Sequence, residues 1–152
     1  MKLPEISVSN RQRKISVNIT ELEEFAGNAL KRCLGLKKGI RTDLRKLKTI
    51  AVWLISDRRI SRLHLQFFDD SSVTDVITFR DGEIVISVET ARRNARIFGN
   101  SLMSEIKLNL VHGLLHLHGF NDQNATDRRR MHDTQKKLLR GMGIQIGTVP
   151  QV

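Results

Sequence analysis

The 152-residue chain holds one cysteine, no tyrosine, six phenylalanines and one tryptophan. A single cysteine excludes an internal disulfide. Cys33 sits within Ala29-Leu30-Lys31-Arg32-Cys33-Leu34-Gly35, where a buried helical thiol is expected. A reduced, cytoplasmic setting follows. Seven aromatics are too few for recognition of nucleic acid by successive base stacking. No run approaches the ~18 apolar residues of a membrane span. Met1-Lys2-Leu3-Pro4-Glu5-Ile6 lacks the apolar stretch and cleavage pattern of a signal peptide. Acidic residues are also in deficit, 16 against 26 Lys and Arg, for a formal net charge of +10. So strong an imbalance points to a polyanionic partner, nucleic acid first.

What is present is organised. Basic residues cluster at Arg11 to Lys14, Lys31/Arg32, Lys37 to Lys48, Arg58/Arg59/Arg62, Arg92/Arg93/Arg96 and Arg128 to Arg130. With so few aromatics, shape and backbone recognition of structured RNA is the expected mode. The length favours one domain, residues 1–152, with its own core. Residues 5–10 and 14–18 read as extended. Thr20-Glu21-Leu22-Glu23 has capping-box spacing and predicts a helix to about Leu36, with Leu22, Phe25, Ala26, Ala29, Leu30 and Cys33 inward. Thr49 to Ser56 reads as a strand covered on both faces. Asp57 is expected to cap a helix over about 58–68, with Ile60, Leu63 and Phe67 inward. Residues 73–79 and 83–88 read as adjoining strands joined by Arg80-Asp81-Gly82. Further helices are expected over 89–98, from Ser101 or Ser104 to near Gly119, and from Asn124 or Thr126 to Gly141. Strands and helices mix without a strict alternation, so the expected class is α+β, a small mixed sheet packed with helices.

The chemistry concentrates in His112-Gly113-Leu114-Leu115-His116-Leu117-His118-Gly119-Phe120-Asn121-Asp122. His112 and His116, four residues apart, return to one face of a helix. Two imidazoles so placed can grip one divalent cation. Gly119 lets the chain turn back, and that turn can bring Asp122 as a third ligand. Three protein ligands and an open position are the construction of a hydrolytic metal site. Ile106, Leu110, Leu114 and Leu117 form an apolar stripe on another face. Zinc proteases of the H-E-x-x-H type carry a glutamate beside the first histidine. Gly113 stands there in this chain, which disfavours peptide hydrolysis. His118 falls on a different face and is not expected to be a ligand. His132, on the next helix, is the reserve. Asp75 and Glu83 are candidate bases or partners of the ligands, with ordinary sheet-edge roles equally open.

The chain resembles the YbeY family, rRNA maturation factors also described as endoribonucleases, from the strand at 49–56 to the helix at 124–141. The family signature H-G-x-L-H-L-x-G-[YF]-D-H is met at His112, Gly113, Leu115, His116, Leu117, Gly119 and Phe120. The block T-D-V-L-S-F is similar to Thr74-Asp75-Val76-Ile77-Thr78-Phe79, and G-D-I-x-I-S to Gly82-Glu83-Ile84-Val85-Ile86-Ser87. The resemblance implies a metzincin-like α+β fold with zinc on a long central helix. It implies a zinc-dependent endoribonuclease of rRNA maturation and ribosome biogenesis, whose partners are rRNA and the ribosome or a pre-ribosomal subunit. Two departures stand out. The third family histidine is replaced by Asp122, and a set of two histidines and a carboxylate suits zinc or iron(II). The family arginine ahead of the Thr74 block is replaced by Phe68, with His64 at the asparagine position. Arg80 is then a candidate RNA-binding cation. These losses keep open an alternative, a non-catalytic RNA-binding or ribosome-assembly factor with a structural metal.

Overall fold

The computed structural model describes residues 2–36 and 43–147. The elements, in chain order, are β1 (Glu5–Asn10), α1 (Ile19–Leu34), α2 (Asp43–Lys46), β2 (Thr49–Ile55), α3 (Asp57–Phe68), β3 (Val76–Phe79), β4 (Glu83–Ser87), α4 (Val88–Phe98), α5 (Leu102–Leu117) and α6 (Ala125–Gly141). The four strands form one sheet in the order β1-β2-β4-β3. β1, β2 and β4 run parallel, and β3 returns antiparallel to β4 at the edge. The α+β class with a small mixed sheet is as expected.

Alternation along the strands divides the apolar residues between two faces. Ile50, Val52 and Leu54 of β2 and Ile84 and Ile86 of β4 enter the main core with α1, α4, α5 and α6. Ile55 and Val85 turn to the other face and join Ile60, Leu63, Trp53, Ile77 and Phe79 beneath α3. The run from Thr49 is therefore covered on both sides.

The central piece is α5, which touches β3, β4, α1, α2, α4 and α6. From Glu105 to His118 every position is buried except Leu108, His112 and His116. Those three repeat every four residues and so line one narrow strip. The expected apolar stripe of Ile106, Leu110, Leu114 and Leu117 is in the core. Gly113 lies where α5 packs tightly against Ile84 of the sheet. A Cβ there would sit 2.8–3.0 Å from the Ile84 side chain. That crowding leaves no room for a glutamate beside His112.

Several local expectations shift. Asn18, not Thr20, caps α1, its side chain accepting from Glu21 N–H. Ser56 rather than Asp57 caps α3. Residues 14–18 form no strand. Their backbone bonds instead to a side chain: Gln12 Nε2 donates to Ile15 carbonyl at 2.7 Å, and Ile15 N–H donates to Gln12 Oε1 at 3.0 Å. Phe67 is 56% exposed rather than inward. The helix packs through Ile60 and Leu63, and its last turn leaves Phe67 and Phe68 outside the core. Of the basic segment Lys37 to Lys48, residues 37–42 lie outside the described residues, as does the end of the tail from Thr148.

Candidate metal centre

The site is assembled by α5, the turn after it, and α6. Gly119, at φ 92°, takes the chain out of the helix in the left-handed region, which glycine adopts without a steric penalty. Phe120 folds back under the last turn, its N–H donating to Leu115 carbonyl at 2.9 Å. Arg130 of α6 lies over the Phe120 ring, 6.0 Å from its centre. Two residues beyond Phe120, Asp122 Oδ2 comes within 3.7 Å of His116 Nε2 and 4.0 Å of His112 Nε2. The two Nε2 atoms are 3.0 Å apart. His112, His116 and Asp122 form the group with metal-ligand spacing. Every separation is below the ~4.1 Å that two ligands at 2.0–2.1 Å from one ion can span. The shorter aspartate side chain is accommodated because the turn brings it in.

The outward nitrogens decide how the inward ones are presented. His116 Nδ1 lies 3.1 Å from Phe120 carbonyl, which can only accept. That nitrogen therefore carries the hydrogen, and His116 Nε2 keeps its lone pair. His112 Nδ1 lies 3.0 Å from Gln135 Oε1 on α6, which places its hydrogen likewise. Two lone pairs and a carboxylate then converge on one point with no proton between them. This arrangement is what a divalent cation satisfies, so the residues fit a metal. Burial first, and His116 beside it second, lowers the His112 pKa, outweighing the hydrogen bond to Gln135 and the charges of Asp75 and Asp122. The shift biases His112 toward its unprotonated form, the one that can ligate a metal.

Sequence reasoning missed Gln135 and the Phe120 carbonyl. Gln135 had a legible signal, a polar residue in the buried stripe Met131, Gln135, Leu138. The carbonyl had none, because backbone orientation leaves no mark in residue type. His118 is fully buried and its Nε2 donates to Leu36 carbonyl at 3.2 Å, consistent with its exclusion as a ligand. His132 lies outside the ligand group. Glu83 lines a second hollow on the far face of the sheet, so it cannot serve this site. Asp75 is half-buried, and its carbonyl accepts from Ser87 N–H at 2.9 Å.

The ligand group opens into a cleft of about 800 Å³. Its walls include His64 and Phe68 of α3, the edge strand β3, and Arg80. Arg80 is the only lysine or arginine among the described residues lining it. Phe68 and Arg80 thus share one cavity with the ligands, though they lie far from them in sequence.

The family model described as Endoribonuclease YbeY matches residues 7–143. The chain belongs to the YbeY endoribonuclease family. An Endoribonuclease YbeY of Heliobacterium modesticaldum is 33% identical over 117 residues, 63% of this chain and 70% of that protein. One from Bacteroides thetaiotaomicron is 33% identical over 62% of this chain and 74% of its own length. A chloroplastic relative of Arabidopsis thaliana is 29% identical over 93% of this chain, which spans 27% of that longer protein. The match to the Anaeromyxobacter dehalogenans protein spans about half of it, 54%. A solution structure from Thermotoga maritima is similar in fold, with a TM-score of 0.61 and 28% identity over 89% of this chain and 87% of that one. No helix among the described residues is long and apolar enough to cross a membrane.

Proposed function

We propose that this YbeY member is a metal-dependent endoribonuclease of rRNA maturation. We read residues 1–152 as one hydrolase-like domain, working in the cytoplasm on rRNA within the ribosome or its precursor subunit. The observation that carries this reading is the convergence of His112, His116 and Asp122 within 4.0 Å of one another on the wall of a cleft. A divalent cation held there, zinc by the nitrogen-rich donor set, would supply Lewis acidity toward a phosphodiester. The two rings are held by Gln135 and the Phe120 carbonyl, so they need no reorientation to ligate. Arg80 stands in the same cleft to offset phosphoryl charge. It would supply the positive charge that Phe68, at the family arginine position, cannot. The buried, unpaired Cys33, with its thiol pushed up to about 12 by burial, suits a reducing compartment.

The alternative is an assembly factor with a structural metal. Structural zinc sites are closed by four protein ligands. Here three donors group together among the described residues, and they open to a cleft. That favours the catalytic reading.

The test is metal content by elemental mass spectrometry, alongside cleavage of an rRNA fragment, for wild type, His112→Ala and Asp122→Ala. The expected result is about one zinc per wild-type chain, as a three-ligand site predicts, with metal and cleavage lost together in His112→Ala. Undiminished zinc in Asp122→Ala would remove Asp122 from the ligand set. A zinc-loaded wild type that binds rRNA and leaves it intact would replace the enzyme with the assembly factor.

A further inference from the structure

Phe68 is an anomaly if the cleft only binds backbone. It is 53% exposed, a large apolar surface left in water. It lines the same cleft as His112, His116, Asp122 and Arg80. Its own contacts hold it in place without covering it. The His64 ring is 5.6 Å away and tilted, and the Phe79 ring 6.3 Å away. His64 is itself fixed, its Nδ1 donating to Ser72 carbonyl at 3.0 Å. The neighbouring loop is tied down as well, since Ser61 Oγ donates to Ser71 carbonyl. The wall is therefore a braced aromatic surface rather than a loose side chain.

From this we infer that Phe68, backed by His64, stacks one unpaired nucleobase next to the phosphate held between Arg80 and the metal ligands. This rests on the nuclease reading above and adds to it the residue that positions the strand. Four features support it. The cavity, about 800 Å³, falls in the ~300–1,000 Å³ range of pockets that enclose drug-sized ligands, enough for a nucleotide with its phosphate. An exposed aromatic ring offers a π-face that any base can use. Bases inside an A-form duplex are already stacked on both faces, so only an unpaired base can reach the ring. Charge is also arranged for a nucleotide, with Arg80 in the cleft and the Asp122 carboxylate turned toward the ligand group. The chain is poor in aromatics, so the strand is gripped by one platform rather than by a series.

The adjacent residue is an internal control. Phe67 is equally exposed at 56%, but it lines the other hollow, of about 340 Å³, with Trp53, Leu63 and Phe79. Residue type, helix and exposure are matched; the cavity differs, as does the ring packing, Phe67 lying edge-on to Phe79 at 5.1 Å.

The experiment measures the Kd of zinc-loaded protein for a fluorescent single-stranded octaribonucleotide by anisotropy at low temperature. A set of octamers carrying one abasic nucleotide at successive positions is measured in parallel. Phe68→Ala should bind about tenfold more weakly, within the range of loss of one stacked base. Phe68→Trp should bind as wild type does, and Phe67→Ala should stay within about twofold. One abasic position should weaken wild type to the level of Phe68→Ala, and should cost Phe68→Ala nothing more. Zinc content, unchanged in Phe68→Ala, shows that the fold and ligands persist. Wild-type affinity in Phe68→Ala, or an equal loss in Phe67→Ala, would overturn the platform and leave the nuclease reading standing. Preference for an apolar peptide over the RNA would overturn it too. Failure of zinc-loaded wild type to bind any of the RNAs would instead sink the nuclease reading itself.

Discussion

His112 depends on a residue 23 positions away. Gln135 offers an amide that can present either oxygen or nitrogen to the ring. With the oxygen turned to His112 Nδ1, the inward nitrogen is a lone pair. A side chain that cannot accept would leave the ring free to put its hydrogen inward. Groups that orient metal-binding histidines in this way typically contribute 10–100-fold in affinity. Gln135→Leu should therefore weaken zinc binding by about that factor in competition with a chromogenic chelator. Gln135→Glu, which accepts by nature, should bind at least as tightly as wild type. If both variants bind as wild type does, the Nδ1 contact is incidental. Gly113 shows the opposite constraint on the same helix. Its missing side chain is demanded by Ile84, so the motif glycine serves packing, while the flanking histidines serve the site.

At the scale of elements, the wall carrying Phe68 is anchored at its far end by Asp57. This carboxylate accepts from Ser87 Oγ and Thr90 Oγ1, both at 2.6 Å, and from Arg93 Nη1 at 2.7 Å. It thereby ties the start of α3 to the start of α4. Partial burial works against ionisation, but the hydrogen bonds from Arg93, Ser87 and Thr90 outweigh it and lower the Asp57 pKa. A depressed folded pKa means stability that is full above the unfolded value of ~3.9 and lost as pH falls through the folded one. Asp57→Asn should cost about 1–2 kcal/mol in urea unfolding at pH 7, discounted for the half-exposed Arg93. The gap to wild type should narrow below about pH 4. A gap that persists unchanged in acid would assign the loss to packing rather than to charge. The same elements show why helix positions were easier to read than caps. Stripes such as Leu22, Phe25, Ala26 and Ala29 repeat over several turns, whereas Asn18 and Thr20 compete for the cap on one hydrogen bond.

For the whole molecule, a net charge of +10 implies that phosphate contacts carry much of the affinity for RNA. Each such contact on a single strand contributes a slope of about −0.7 to log K against log salt. With about three contacts, binding should weaken tenfold or more between 50 and 200 mM salt. A flat response would mark the arginine clusters on α3, α4 and α6 as ordinary solvated surface.

The short helix α2 and the lack of a strand at 14–18 were not legible in the residue pattern, but the other elements, the α+β class, the paired histidines and the turn that brings Asp122 to them were. All of these follow from short spacings: a period of two or near four, and a glycine at a helix end. The family resemblance followed from the same local blocks. Only the tertiary structure decided that Gln135 and the Phe120 carbonyl orient the rings. It also decided that Glu83 faces away, and that Phe68 and Arg80 share a cleft with the candidate ligand group while Phe67 does not. Those facts depend on how α3, α5 and α6 pack around the edge strand. Such packing brings together residues tens of positions apart, and no local period records it.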